Sequence, residues 1–251
     1  MRGLSASSNQ PGVPVLGAAW CDITAATDGG HYVPATSHRV YEGNTHNEGV
    51  HINLKGVSIG NGLTDPSIQY QYYAQLAYNW STTLTGEPRV SLQQYADVRH
   101  TRSYACGVPA TACNTHPRLR LLSWCLAQMT AAIPKCVQMI NDCQKDTSVC
   151  PQAEDFCNKA EFDPFELSGY NPYDIRKKCV GGGLCYNFTN EQAWLNLPSV
   201  QAALGVSKQW TICNYVVNAG FGHDWMKDYQ QDIPAQLEAG TKFLIYAGDC
   251  G

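Results

Sequence analysis

The 251-residue sequence predicts an α/β fold built on a parallel sheet and interrupted by a disulfide-rich, mainly helical insertion. Three observations carry that expectation. Two short apolar runs, residues 50–59 and 243–247, end in the turn signals Gly60-Asn61-Gly62 and Gly248-Asp249, as buried strands do. Helical spacing recurs between them. Seven of the twelve cysteines, Cys125, Cys136, Cys143, Cys150, Cys157, Cys179 and Cys185, crowd into 61 positions.

Taken in order, residues 1–28 are rich in Ala, Ser, Gly and Pro without clear periodicity, and an irregular, poorly ordered opening is expected there. In residues 31–41, Val33, Ala35, Thr36 and Val40 line one side of a short helix, with Pro34 in the first turn, where a missing N–H does no harm. Residues 50–59 read as a buried strand. Residues 68–80 set Tyr70, Tyr72, Tyr73, Leu76 and Ala77 along a helix face, and 124–140 is helically patterned. In 191–204, Pro198 and Ser199 divide two short helices; 225–239 reads as a helix stopped by Gly240, and 241–247 as a buried strand. The expected organisation is an irregular section 1–28, a core section 29–80, an insertion 81–185 and a return to the core over 186–251.

Composition narrows the function classes. The apolar share is 44% and the charged share 15%, and no run approaches the roughly 18 apolar residues of a membrane span. A net charge of -4 with scattered Lys and Arg offers no footprint for a phosphate backbone, so no nucleic-acid partner is expected. Cysteine density points to disulfides and an oxidising compartment. Zinc is disfavoured because no CxxC pair supplies ligand spacing, so neither metal nor cofactor is expected. Asn79-Trp80-Ser81 and Asn187-Phe188-Thr189 are glycosylation sequons and fit a secretory route. The opening 22 residues lack the apolar core of a signal peptide, which implies a start further upstream or a chain that is not exported.

Several motifs together resemble the serine carboxypeptidases of the vacuolar and lysosomal type, within the α/β-hydrolase superfamily. They are Gly29-Gly30-His31-Tyr32-Val33-Pro34-Ala35, the stretch from Asn53 through Gly60-Asn61-Gly62-Leu63-Thr64-Asp65-Pro66, Tyr173-Asp174-Ile175-Arg176-Lys177-Lys178-Cys179, Cys185-Tyr186, Leu195-Asn196-Leu197-Pro198-Ser199-Val200, and 243–249. The resemblance implies a partial α/β-hydrolase fold, removal of C-terminal residues from peptides, and a lysosomal, vacuolar or secreted location. It implies that Leu63, Tyr70 and Tyr73 line the pocket beside the scissile bond, and that Tyr173 and Tyr186 border the pocket of the leaving residue. It further implies the bridges Cys136 to Cys157, Cys143 to Cys150 and Cys179 to Cys185, with Cys213 unpaired.

The same resemblance implies a defect. Acyl transfer needs a serine, a histidine to take its proton, an acid to orient the histidine, and N–H donors for the oxyanion. Where the family has Gly-Glu-Ser-Tyr-Gly-Gly, this chain has Ala25-Ala26-Thr27-Asp28-Gly29-Gly30. Thr27 takes the serine position and Asp28 the position of the oxyanion-hole tyrosine. The late acidic loop reads Gly248-Asp249-Cys250-Gly251, with Gly251 at the catalytic aspartate's place. None of His31, His38, His46, His51, His100, His116 or His223 stands where the family's base does. The expectation is the product of a shortened or frame-disrupted gene, inactive by itself, or alternatively a non-catalytic peptide- or protein-binding remnant of the fold.

Overall fold

The computed structural model describes residues 21–26, 29–89, 122–180 and 184–250, with the backbone alone at 21–26 and 122–128. In chain order the first elements are β1 (Cys21–Ala26), α1 (Gly29–Thr45) and β2 (Leu54–Gly60), then a helical run from Pro66 to Thr85 with a 3-10 turn at Tyr70–Tyr72 and a π turn at Leu76–Trp80. There follow α2 (Leu122–Lys145), α3 (Cys150–Cys157), a π turn at Asn158–Phe162, β3 (Tyr170–Asn171) and β4 (Asp174–Lys178). The chain continues with α4 (Thr189–Leu195), α5 (Pro198–Leu204), α6 (Tyr215–Gly220), α7 (Pro234–Glu238) and β5 (Lys242–Tyr246).

Two compact units result, one from residues 1–66 with 227–249, the other from 67–226 with 250–251. The first holds a parallel sheet ordered β1-β2-β5, the arrangement expected of an α/β fold. Its core is Val33 of α1 on Val57 and Ile59 of β2, flanked by Leu54 and Phe243. Close approach dictates glycine twice. A Cβ on Gly30 would lie 2.2 Å from the Leu63 carbonyl oxygen, and one on Gly62 would lie 2.7 Å from the Gly30 Cα, so the start of α1 and the loop after β2 meet backbone to backbone.

Several expectations need correction in this unit. Residues 21–26 form a strand inside the section read as irregular, held by parallel pairing with β2 that no local pattern reveals. Helix α1 starts at Gly29, not at 31, so Pro34 lies beyond the first turn and the helix gives up the bond to the Gly30 carbonyl. Strand β2 begins at Leu54 because Asn44 claims Ile52: its Nδ2 donates to the Ile52 oxygen at 2.7 Å and its Oδ1 accepts from the Ile52 nitrogen at 2.9 Å. Only Gln230–Asp232 (a 3-10 turn) and Pro234–Glu238 are helical in the stretch 225–239; Pro234 has no N–H to continue a helix and takes a first-turn position instead. Gly240, at φ +89°, ends that helix as expected. Strand β5, at one edge of the three-stranded sheet, is not buried: Leu244 is 62% and Ile245 61% exposed.

The second unit is mainly helical. Ala74, Ala77, Met129, Phe165 and Ile175 form its core, with Leu76 and Tyr170 against it. The three implied bridges are present: Cys136–Cys157 and Cys143–Cys150 staple α2 to α3, and Cys179–Cys185 closes the turn after β4. Each contributes stability on the order of 2–4 kcal/mol by restricting the unfolded chain. Pro198 opens α5 and Gly205, at φ +69°, closes it, so the predicted division of 191–204 is observed. The unit limits at 66/67 and 226/227 differ from the expected section limits of 80/81 and 185/186; α4, α5 and α6 therefore belong with the disulfide-stapled unit.

Candidate functional site

Tyr186 follows the Cys179–Cys185 bridge, which gives Cys185 a left-handed φ of +60° and sets the next side chain outward. Its ring lies 6.0 Å from that of Tyr173 and 6.4 Å, edge-on, from that of Phe188. Tyr173 is placed by the β3–β4 turn, where its N–H donates to Asn171 Oδ1 at 2.8 Å. Asp174 holds that turn together: its carboxylate takes Arg176 Nε at 2.8 Å and Lys177 Nζ at 3.0 Å, and these two cations keep it far below the usual carboxylate range.

Tyr186 opens onto a cavity of about 550 Å3, walled by Phe188, Gln192, Ile212, Cys213 and Tyr215 among others. One carboxamide fixes the far wall. Asn196 donates to the Trp210 oxygen at 2.9 Å and accepts from the Trp210 nitrogen at 2.8 Å, while Gln201 donates to the Lys208 oxygen at 2.9 Å. Residues 208–210 are thereby tied to α4 and α5, and the chain running on to Cys213 is held over the cavity. Asn214 then caps α6, accepting from the amides of Val216 and Val217. The lining pairs aromatic and aliphatic surface with amide groups, which suits an apolar side chain attached to a polar backbone. Cys213 is exposed and forms no disulfide among the described residues.

The other expected site residues lie elsewhere. Tyr70 is 2% exposed; its hydroxyl donates to Asn158 Oδ1 at 2.7 Å and accepts from Trp225 Nε1 at 3.3 Å, and burial pushes the phenol pKa up strongly. Tyr73 meets Tyr70 edge-on at 4.8 Å and is pushed up to about 12 by burial. Leu63, half-buried, belongs to the other compact unit. Thr27, Asp28 and Gly251 lie outside the described residues, and so do the side chain of Cys125 and residues His100 and His116. Among the described histidines, His31 is buried with its ring 4.8 Å from Tyr229, and His38 Nδ1 lies 3.6 Å from Asp232 Oδ1. Among the described residues no group of His, Cys, Asp or Glu is arranged to hold a metal ion, and no helix is long and apolar enough to cross a membrane.

Phe188, Gln192, Ile212 and Tyr215 did not stand out in the sequence as lining residues. Their signal was indirect, since Leu195-Asn196-Leu197-Pro198 carries the asparagine that positions the wall.

A family model described as serine carboxypeptidase matches residues 23–250. The chain is 36% identical over 230 residues to serine carboxypeptidase-like 49 of Arabidopsis thaliana, covering 90% of this chain and 37% of that protein. It is 34% identical over 233 residues to carboxypeptidase Y of Candida albicans, covering 90% and 36%. A solved structure of a prohormone-processing carboxypeptidase from Saccharomyces cerevisiae aligns with a TM-score of 0.58 at 16% identity, covering 91% of this chain and 44% of that one. This last likeness bears on the fold alone and gives a partial α/β-hydrolase. The chain spans a little over a third of the length of the Arabidopsis and Candida relatives.

Proposed function

This chain belongs to the serine carboxypeptidase family, and from that premise we propose that it binds the C-terminal residue of a peptide without cleaving the bond before it. The cavity beside the Tyr173–Tyr186 pair is the observation that carries the binding half of this reading. An apolar side chain fills the space between Tyr186, Phe188 and Ile212, and the side-chain amide of Gln192 serves the peptide's polar atoms. Family resemblance alone assigns Leu63, Tyr70 and Tyr73 to the lining beside the scissile bond; for Tyr70 its buried hydrogen bonds favour a supporting role.

The inert half rests on residues this chain does contain. By the family resemblance Thr27 takes the place of the nucleophilic serine and Asp28 that of the oxyanion-hole tyrosine. A threonine brings a second substituent on Cβ into an elbow shaped for serine. Asp28 brings a negative charge to the place where an oxyanion develops, which raises the barrier that backbone N–H donors would lower. Ala26 replaces the glutamate that helps hold the substrate's carboxylate. Disulfides and family membership together favour a lysosomal, vacuolar or secreted location.

Calorimetric titration with blocked dipeptides ending in Phe, Leu or Lys tests the binding half. Binding of the Phe and Leu peptides, weakened at least about fivefold by Tyr186→Ala, is the expected result, in line with the loss of one large aromatic contact. Equal binding of all three peptides by parent and variant contradicts the assignment.

A further inference from the structure

The fold presents the two sequons differently. Asn79 lies in the π turn Leu76–Trp80, and its carbonyl accepts from Thr83 Oγ1 at 3.1 Å. The hydroxyl two residues on, that of Ser81, is fully buried, donating to the Ala77 oxygen at 2.7 Å and accepting from the Arg89 nitrogen at 3.1 Å. That sequon is part of a helix and its hydroxyl is spent on packing. Asn187 is exposed on the segment before α4; its Oδ1 accepts from the Thr189 nitrogen at 3.0 Å and from Thr189 Oγ1 at 2.6 Å. Its Nδ2 has no hydrogen-bond partner among the described residues. Asn187 also lines the cavity, on the same wall system as Cys213.

We propose that Asn187 carries an N-linked glycan that stands across the mouth of this cavity and closes it to ligands while the sugar is attached. In the transfer, Nδ2 forms a bond to C1 of an N-acetylglucosamine, the C1–oxygen bond to a lipid pyrophosphate breaks, the pyrophosphate leaves with the bonding pair, and the carboxamide loses one proton. The exposed turn supplies the accessible acceptor, and the Thr189 bonds fix the carboxamide by its oxygen, leaving its nitrogen for the bond. Because the acceptor is itself a wall residue, the first sugar has to lie at the cavity's edge. For the identity of the excluded ligand this inference rests on the reading of the cavity as a peptide pocket; the glycan and its shielding do not depend on that reading.

Cys213 supplies a readout independent of peptide binding. The chain is secreted from a glycosylating eukaryotic host, treated or not with a peptide-N-glycosidase, and labelled briefly with a small maleimide, with peptide mass spectrometry locating both modifications. The expected result is a glycan on the Asn187 peptide, absent from Asn187→Gln and Thr189→Ala, and labelling of Cys213 at least about tenfold slower until the glycan is removed. An unmodified Asn187, or Cys213 labelled equally fast with and without the glycan, overturns the proposal. Enzymatic removal from the parent chain keeps the comparison valid where a variant folds poorly. Failure of the glycan-free form to bind peptide counts against the pocket reading alone.

Discussion

Glu161 carries a destabilising burial in the helical unit. Its side chain is fully buried in the π turn Asn158–Phe162, and neither carboxylate oxygen has a hydrogen-bond partner among the described residues. Burial alone pushes its pKa up to about 8. Between the ordinary carboxylate value and that figure the folded chain keeps a proton that the unfolded chain has released, so stability falls as pH rises through this window and is greatest below it. Glu161→Gln removes the titration. Urea unfolding of parent and variant at pH 5 and pH 8 is expected to show their difference changing, in the variant's favour at pH 8, by on the order of 1 kcal/mol, the full charge-burial value being reduced by water access. Parallel pH profiles contradict this. Asp174 titrates with the opposite sign: held low by Arg176 and Lys177, it adds stability that is lost only as the solution becomes strongly acid. Nothing in the sequence marked Glu161, since one glutamate among helical residues looks like any exposed one, and only tertiary packing makes it exceptional.

At the scale of elements, the start of α1 and the loop after β2 are held in close backbone contact within the parallel-sheet unit. Gly30→Ala places a Cβ within 2.4 Å of three Leu63 backbone atoms, and backbone cannot rotate away as a flexible side chain can. A loss of about 1–3 kcal/mol in thermal or chemical unfolding is expected, typical of overpacked sites. An unfolding midpoint unchanged by Gly30→Ala contradicts the close approach. Elements with local signals were legible in the sequence: β2 and β5 from apolar runs and turns, α4 and α5 from Pro198, the end of α7 from Gly240. Those fixed by distant partners were not. Strand β1 was one of these, since its pairing with β2 lies 33 residues away at Cys21↔Leu54. The exposure of β5 was equally hidden, because an apolar run reports what a strand would bury and not whether a neighbour covers it.

The whole molecule divides its tasks between the units. The parallel-sheet unit carries β1 and α1, which flank Thr27 and Asp28 in the sequence, and the stapled helical unit builds the aromatic cavity. In the sequence the family motifs and the cysteine pairs pointed to Tyr173 and Tyr186, yet the cavity's other wall comes from 208–215, brought over by the Asn196 carboxamide across fourteen positions to Trp210. Such a wall has no periodicity of its own. The account as a whole predicts a chain with a working grip on peptide C-termini and no chemistry to follow it. The direct measurement is release of the C-terminal residue from a blocked dipeptide, followed by mass spectrometry, for the purified chain by itself. No release above the rate in buffer is predicted; hydrolysis by the unaltered chain that disappears on Thr27→Ala would contradict the account.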